Sequence, residues 1–279
     1  MLRSTVKIVR RFAGCMKQRG SGHVARAPFR PNTIELVYWQ SPLGVNFGDY
    51  LSSVIVTKIA ADHGYFLDEA RPEHRRLLAV GSILHFAKNG DVIWGSGVNG
   101  KIAASDHSFT ELDVRAVRGP LTAEFLRKKG IATPAVFGDP AILIRDLLSK
   151  RFQGNPLRAL PVVFVPNLHD LPHMKGWENV VSPLDPWATV IDRISRAQHV
   201  VSSSLHGLIV ADAFGIPCTY LRMSEEEHLL KYEDYVLGSG RSGLRVTRTR
   251  EDAISATPMD PPTFQIEALK AAFPFDLWK

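Results

Sequence analysis

Cysteine is scarce. The 279 residues contain only Cys15 and Cys218, far apart and without metal-type spacing. Cys218 sits in the apolar run Gly215 to Tyr220 and reads as a buried free thiol in a reducing compartment, so the expected location is cytoplasmic. No run approaches 18 consecutive apolar residues, which argues against a membrane-spanning helix. The patterns Gly-x-Gly-x-x-Gly and Gly-x-x-x-x-Gly-Lys are missing, which disfavours nicotinamide and P-loop nucleotide chemistry. No Gly-x-Ser-x-Gly elbow occurs, so a serine hydrolase is disfavoured. His169 and His173 are close, but no Cys or acidic cluster completes a metal site around them. No internal repeat stands out.

Acidic residues are absent from residues 1–30, where eight Lys and Arg gather. The net charge of +6 comes from this leader; the remaining chain holds 26 basic and 28 acidic residues and gives no reason to expect a nucleic-acid partner. Its apolar stretches, Ile8-Val9 and Phe12-Ala13, are too short for a secretory signal. Two readings of the leader stay open: a solvated tail, or a basic segment making peripheral contact with an anionic membrane face.

Hydrophobic residues at 45% and charged residues at 22% suit a globular protein with a real core. Short apolar runs alternate with helical spacing, and each run ends in a Gly or Asp turn. Thr33–Trp39, Leu77–Gly81, Asp91–Gly97, Val114–Arg118 and Val136–Pro140 are the expected strands of the first half. Tyr50–Gly64 and Leu121–Lys129 are its expected helices, with a loop at Ser41–Asp49. In the second half, strands are expected at Pro161–Pro166, His199–Ser203 and Cys218–Leu221. Helices are expected at Leu184–Ala197, Leu205–Phe214 and Phe264–Phe273. This alternation predicts parallel βαβ units. The expected organisation is an N-terminal α/β domain (31–152), a polar linker at Arg151–Pro161, a C-terminal α/β domain (160–262) and a terminal helix (263–279). Two Rossmann-like domains facing a cleft would bind ligands at the carboxyl ends of their strands.

The unusual residues fall at those ends. Ser202-Ser203-Ser204-Leu205-His206-Gly207 closes a strand in three hydroxyls and opens a helix. The free N–H groups there attract anions, and His206 suits proton transfer near neutral pH. An N-capped helix with a satisfied histidine explains the same residues. Arg118, before Gly119-Pro120, suits a carboxylate or phosphate, or a surface pair with Glu124 or Asp113. Asp139, in Gly138-Asp139-Pro140, either caps a helix or orients a histidine or a sugar hydroxyl. Asn46-Phe47-Gly48-Asp49 places a carboxylate and an amide beside a glycine. Gly81-Ser82 and Gly95-Ser96-Gly97 are small-residue turns fit for phosphate or sugar. Lys231 is either a solvated helix lysine or reaches an anion held near His206.

Together these motifs resemble the polysaccharide pyruvyl transferases, particularly their bacterial exopolysaccharide branch. The matching pieces are Asn46–Leu51, Gly81–His85, Trp94–Gly97, Val117–Pro120, Gly138–Ala141 and Ser202–Pro217. They cover roughly residues 33–240 in family order; the basic leader lies outside. Each piece alone is weak, and the six in order are specific. The resemblance implies a fold like the two-domain GT-B glycosyltransferases. It implies phosphoenolpyruvate as donor substrate, with no cofactor, and an oligosaccharide diol, free or lipid-linked, as acceptor. The product is a pyruvate ketal in exopolysaccharide or cell-surface glycan synthesis. Arg118, Ser203, Ser204, His206 and Lys231 would bind the donor, and Asn46, Asp49 and Ser96 the acceptor. His206 would be the general acid, with Asp139 or Asp49 taking a hydroxyl proton. No metal is required by this scheme.

Two other readings use the same cleft. One is a nucleotide-sugar-dependent glycosyltransferase of the GT-B type. The other is a non-catalytic glycan-binding component of a polysaccharide assembly complex.

Overall fold

A computed structural model describes residues 34–69, 75–152 and 159–278. The leader, and residues 153–158 of the expected linker, lie outside the described residues. The order of elements is β1 (Glu35–Val37), α1 (Phe47–Asp62), β2 (Arg76–Leu78), β3 (Val92–Trp94), β4 (Asp113–Ala116), α2 (Pro120–Lys128) and α3 (Ile144–Leu147). Then follow β5 (Leu160–Val165), α4 (Trp187–Ser195), β6 (Ala197–Ser202), α5 (Leu205–Ala213), β7 (Cys218–Leu221), α6 (Leu230–Gly238), β8 (Val246–Thr247), α7 (Arg250–Ser255) and α8 (Ile266–Ala271).

The strands form two parallel four-stranded sheets, β1-β2-β3-β4 and β5-β6-β7-β8. Both faces of each sheet are covered around the apolar centres of the strands, and neighbouring side chains there enter different clusters. Leu77 joins the central cluster while Leu78 joins an outer one. Val163 and Val165 point centrally, and Phe164 points to the far face of the second sheet. The central cluster is continuous across both halves, through Leu51 and Ile55 of α1, Val190 and Ile191 of α4, and Leu208 and Ile209 of α5.

Local chemistry explains the helices. Leu51, Ile55 and Ile59 give α1 a buried stripe at i, i+4 spacing. The chain then turns at Gly64, whose φ of +78° is in the left-handed region. Helix α5 is apolar almost all round and is buried along residues 205–212. Its Gly207 lets it lie against β5 and β6, since a methyl there would overlap the Ser202 hydroxyl and fall 2.9 Å from Val165.

Several expected boundaries shift. Helix α1 starts at Phe47, inside the expected Ser41–Asp49 loop, because Asn46 caps it by accepting from Gly48 N–H at 2.9 Å. The expected strand at Val136–Pro140 is reduced to one parallel bridge between Val117 and Phe137. The terminal helix shortens to α8, and its segment returns to the first half. Trp94 Nε1 donates to the Leu269 carbonyl at 2.9 Å, and Arg115 pairs with Asp276 at 2.7 Å. The sequence reading did not assign β8 or α7. No helix among the described residues is long and apolar enough to cross a membrane.

Candidate active site

His206 lies in the first turn of α5, after the carboxyl end of β6, and is 8% exposed. Ser204 caps the helix by accepting from Gly207 N–H at 3.4 Å. Gly48, in the first turn of α1, lies flat against the imidazole; any side chain there would overlap the ring. Phe47 meets the ring edge-on at 6.5 Å. On the other side, Nε2 is buried, makes no hydrogen bond and sits 3.8 Å from Asp139 Oδ2. Burial, reinforced by the positive charges of Lys231 and Arg118, pushes the imidazole down to about 3, so it is neutral near pH 7.

Asp139 is fully buried after Gly138. Its Oδ1 caps the short helix Pro140–Leu143 through Ala141 N–H at 3.0 Å, and its Oδ2 accepts from Gly81 N–H at 3.1 Å. Burial raises its pKa to about 6, against the lowering effect of those N–H groups and Arg118. Asp49 stands on the first turn of α1, partly buried. Burial lifts it to about 7; Lys231 opposes that rise and Asp139 adds to it. Gly81, at φ +106°, brings these groups together: a methyl there would lie 3.4 Å from Asp49 Oδ1 and 3.9 Å from His206 Cε1. The two sheets thus deliver His206, Asp139 and Asp49 to one place, and the proton held there near neutrality rests on the carboxyls.

Other expected site residues hold different positions. Arg118 is no open anion anchor and no surface arginine. It is fully buried and paired with Asp234 of α6 at 3.0 Å. Its guanidinium also donates to Ser82 Oγ and the Val98 carbonyl, both at 2.6 Å. Asp234 further accepts from Thr122 Oγ1 at 2.6 Å and Thr122 N–H at 3.0 Å. The Arg118 charge reaches His206 and Asp139 through space. Among the hydroxyls, Ser202 donates to the Val165 carbonyl at 2.7 Å, and Ser203 Oγ accepts from Asn167 N–H at 3.1 Å. Ser96 donates to the Gly81 carbonyl at 3.0 Å. These side chains build the turns around His206. Lys231, on α6, pairs with Glu227, and its charge is felt by both His206 and Asp49.

Residues 45–225 match the family described as Polysaccharide pyruvyl transferase. The succinoglycan biosynthesis protein ExoV of Rhizobium meliloti is 32% identical over 212 residues, covering 71% of this chain and 62% of that protein. The chain belongs to the polysaccharide pyruvyl transferase family. An uncharacterized protein of Acanthamoeba polyphaga mimivirus is 26% identical over 171 residues, covering 56% of this chain and 58% of its own length. The chain therefore spans about six tenths of the length of these curated relatives. A solved structure, of an uncharacterized protein from Klebsiella pneumoniae, is 15% identical with a TM-score of 0.41, covering 79% of this chain and 95% of that one. That likeness is too low to bear on the fold.

His206, Asp139, Asp49 and Arg118 fall inside the family span; Glu227, Lys231 and Asp234 lie beyond it. Sequence reasoning missed Asp234 as the partner of Arg118, and Glu227 and Lys101 as partners around Lys231. It also missed Tyr232, whose hydroxyl donates to the Ser203 carbonyl at 2.6 Å. Asp234 follows Lys231 by three residues, one helical turn, and that spacing was the available signal. Among the described residues, no three His, Cys, Asp or Glu side chains gather to hold a metal ion.

Proposed function

We propose that the chain transfers the enolpyruvyl group of phosphoenolpyruvate to two hydroxyls of an oligosaccharide, forming a pyruvate ketal in exopolysaccharide or cell-surface glycan synthesis. Family membership supports pyruvyl transfer. The observation that carries the reading is the buried, unpartnered Nε2 of His206 facing Asp139 Oδ2 at 3.8 Å.

The donor is an anion with a carboxylate and a phosphate. The cationic Lys231, backed by the field of Arg118, supplies the opposite charge. Bound negative charge counters the two cations that depress His206 and raises its proton affinity. The proton held on the carboxyls then moves onto Nε2, and from there to the donor methylene carbon, which becomes a methyl group. A sugar hydroxyl attacks the adjacent carbon and gives its proton to Asp49. The C–O bond to phosphate breaks, and the second hydroxyl closes the ketal. Two hydroxyl protons are released in all: one replaces the proton delivered to carbon, and the other leaves with the phosphate as hydrogen phosphate.

The test is turnover with phosphoenolpyruvate and an acceptor oligosaccharide, free and lipid-linked, scored by phosphate release and ketal formation. Matched release of phosphate and ketal is expected. Turnover only with a nucleotide-sugar donor would replace this reading with glycosyl transfer. Sugar binding without turnover of any donor would replace it with a non-catalytic role in assembly.

A further inference from the structure

Glu227 lies in the segment between β7 and α6, four residues ahead of Lys231, and is 6% exposed. Its two carboxylate oxygens meet two ammonium groups. One pairs with Lys231 of the second half. The other accepts from Lys101 at 2.7 Å, across to the β3–β4 loop of the first half. Beside this contact, Gly100 lies so close to His228 that a methyl there would fall 2.7 Å from Nδ1. The two halves therefore touch through an ion-paired carboxylate next to the candidate site.

We infer that Glu227 is a positioning residue that holds the Lys231 ammonium toward the donor site and joins the two halves there through Lys101. A buried carboxylate between two ammonium groups leaves the trio with one net positive charge, and the Lys231 charge acts on both Asp49 and His206. A lone Lys231–Glu227 pair would be neutral and poor at attracting an anion; a lone Lys231 would be costly to bury charged. Lys101 draws part of the carboxylate away and leaves Lys231 able to engage a second anion.

The groups around Lys231 are Glu227 ahead of α6, Lys101 from the β3–β4 loop, Arg118 after β4, Asp49 on α1 and His206 on α5. The Tyr232 ring lies 5.0 Å from Nζ. Burial lowers the Lys231 pKa, Glu227 raises it, and Lys101 and Arg118 lower it. Glu227 and its other partner Lys101 thus act on Lys231 with opposite signs.

This inference rests on the donor assignment proposed above, so its test carries a readout that needs no activity. The full chain is labelled at its amines by acetic anhydride across a pH series, and Lys231 is followed by mass spectrometry. Glu227→Gln is expected to lower the Lys231 titration midpoint, and Lys101→Met to raise it. Phosphoenolpyruvate is expected to bind Glu227→Gln about tenfold more weakly, with acceptor KM unchanged. Glu227→Asp, which keeps the charge, is expected to recover part of that loss. Should Glu227→Gln fail to fold, Lys101→Met and Glu227→Asp still decide the question. Midpoints that stay fixed in the folded variants, or shift the same way in Glu227→Gln and Lys101→Met, would overturn the inference. A wild type that binds no phosphoenolpyruvate would overturn the donor assignment, whatever the amine titration shows.

Discussion

Replacing Asp49 by asparagine removes a carboxyl that the fold holds near 7 and the unfolded chain near 3.8. A folded value raised above the unfolded one gives stability that is fully present below 3.8 and lost as the pH rises to 7; above 7 the loss is complete. The gap of about three pH units corresponds to about 4 kcal/mol at about 1.36 kcal/mol per unit. Asp49 is only partly buried, so solvent screening brings the figure to roughly 2–4 kcal/mol. Asparagine keeps the shape without the charge, so the variant is expected to exceed wild type by that amount near about pH 8.5 and by about 1 kcal/mol or less near about pH 4.5. Urea unfolding at the two pH values measures it. Any effect of the amide itself cancels in the comparison between pH values. An equal difference at both, or a variant less stable at the higher pH, would refute the claim that Asp49 is held protonated by its surroundings.

Gly48→Ala places a methyl into the space of the His206 ring. It is expected to lower turnover at least roughly a hundredfold by displacing the imidazole, and to cost about 1–3 kcal/mol in urea unfolding because the methyl overpacks a buried position. Full activity in that variant would show that His206 need not sit where it does. Asp234→Ala leaves the Arg118 charge buried without its carboxylate, an expected cost of about 3–5 kcal/mol. A loss under about 1 kcal/mol in urea unfolding would show that the pair is not a structural tie. The pH profile of kcat/KM is expected to be bell-shaped, with limbs near 6 and 7 belonging jointly to the Asp139 and Asp49 carboxyls and His206. Lys231→Met is expected to raise the upper limb, since Lys231 lowers the Asp49 pKa. A flat profile across that range would remove the carboxyls from the chemistry.

The parallel α/β pattern was legible because short apolar runs alternate with helical spacing and some stop at a glycine turn, as at Trp94-Gly95. The convergence on His206 was legible because parallel strands present their carboxyl ends on one side: His206 follows β6, Asp49 lies in the segment after β1, and Asp139 follows the Val117–Phe137 bridge beside β4. The start of α1 was misplaced because Asn46 works as a cap, and an Asn two residues ahead of a glycine reads equally well as loop. The role of Arg118 was not legible, since its partner Asp234 lies 116 residues away on α6. That helix reaches the first half because Gly119 and Gly238 let the two backbones approach. A lone glycine signals permission for close contact without naming what comes close. The serines at 202–204 read equally as ligand contacts or as a helix cap; Ser204 is the cap, while Ser202 and Ser203 bond backbone groups at the end of β5, partners that the sequence does not reveal.

The central claim is that His206 delivers a proton to the donor methylene carbon before two hydroxyls close a ketal. Turnover of phosphoenolpyruvate with an oligosaccharide diol in deuterium oxide tests it directly. The expected product is a ketal whose methyl group carries one deuterium, with one phosphate released for each ketal, and with both lost in His206→Ala. A vinylic enol ether, a methyl group without deuterium, or His206→Ala turning over at the wild-type rate would contradict it.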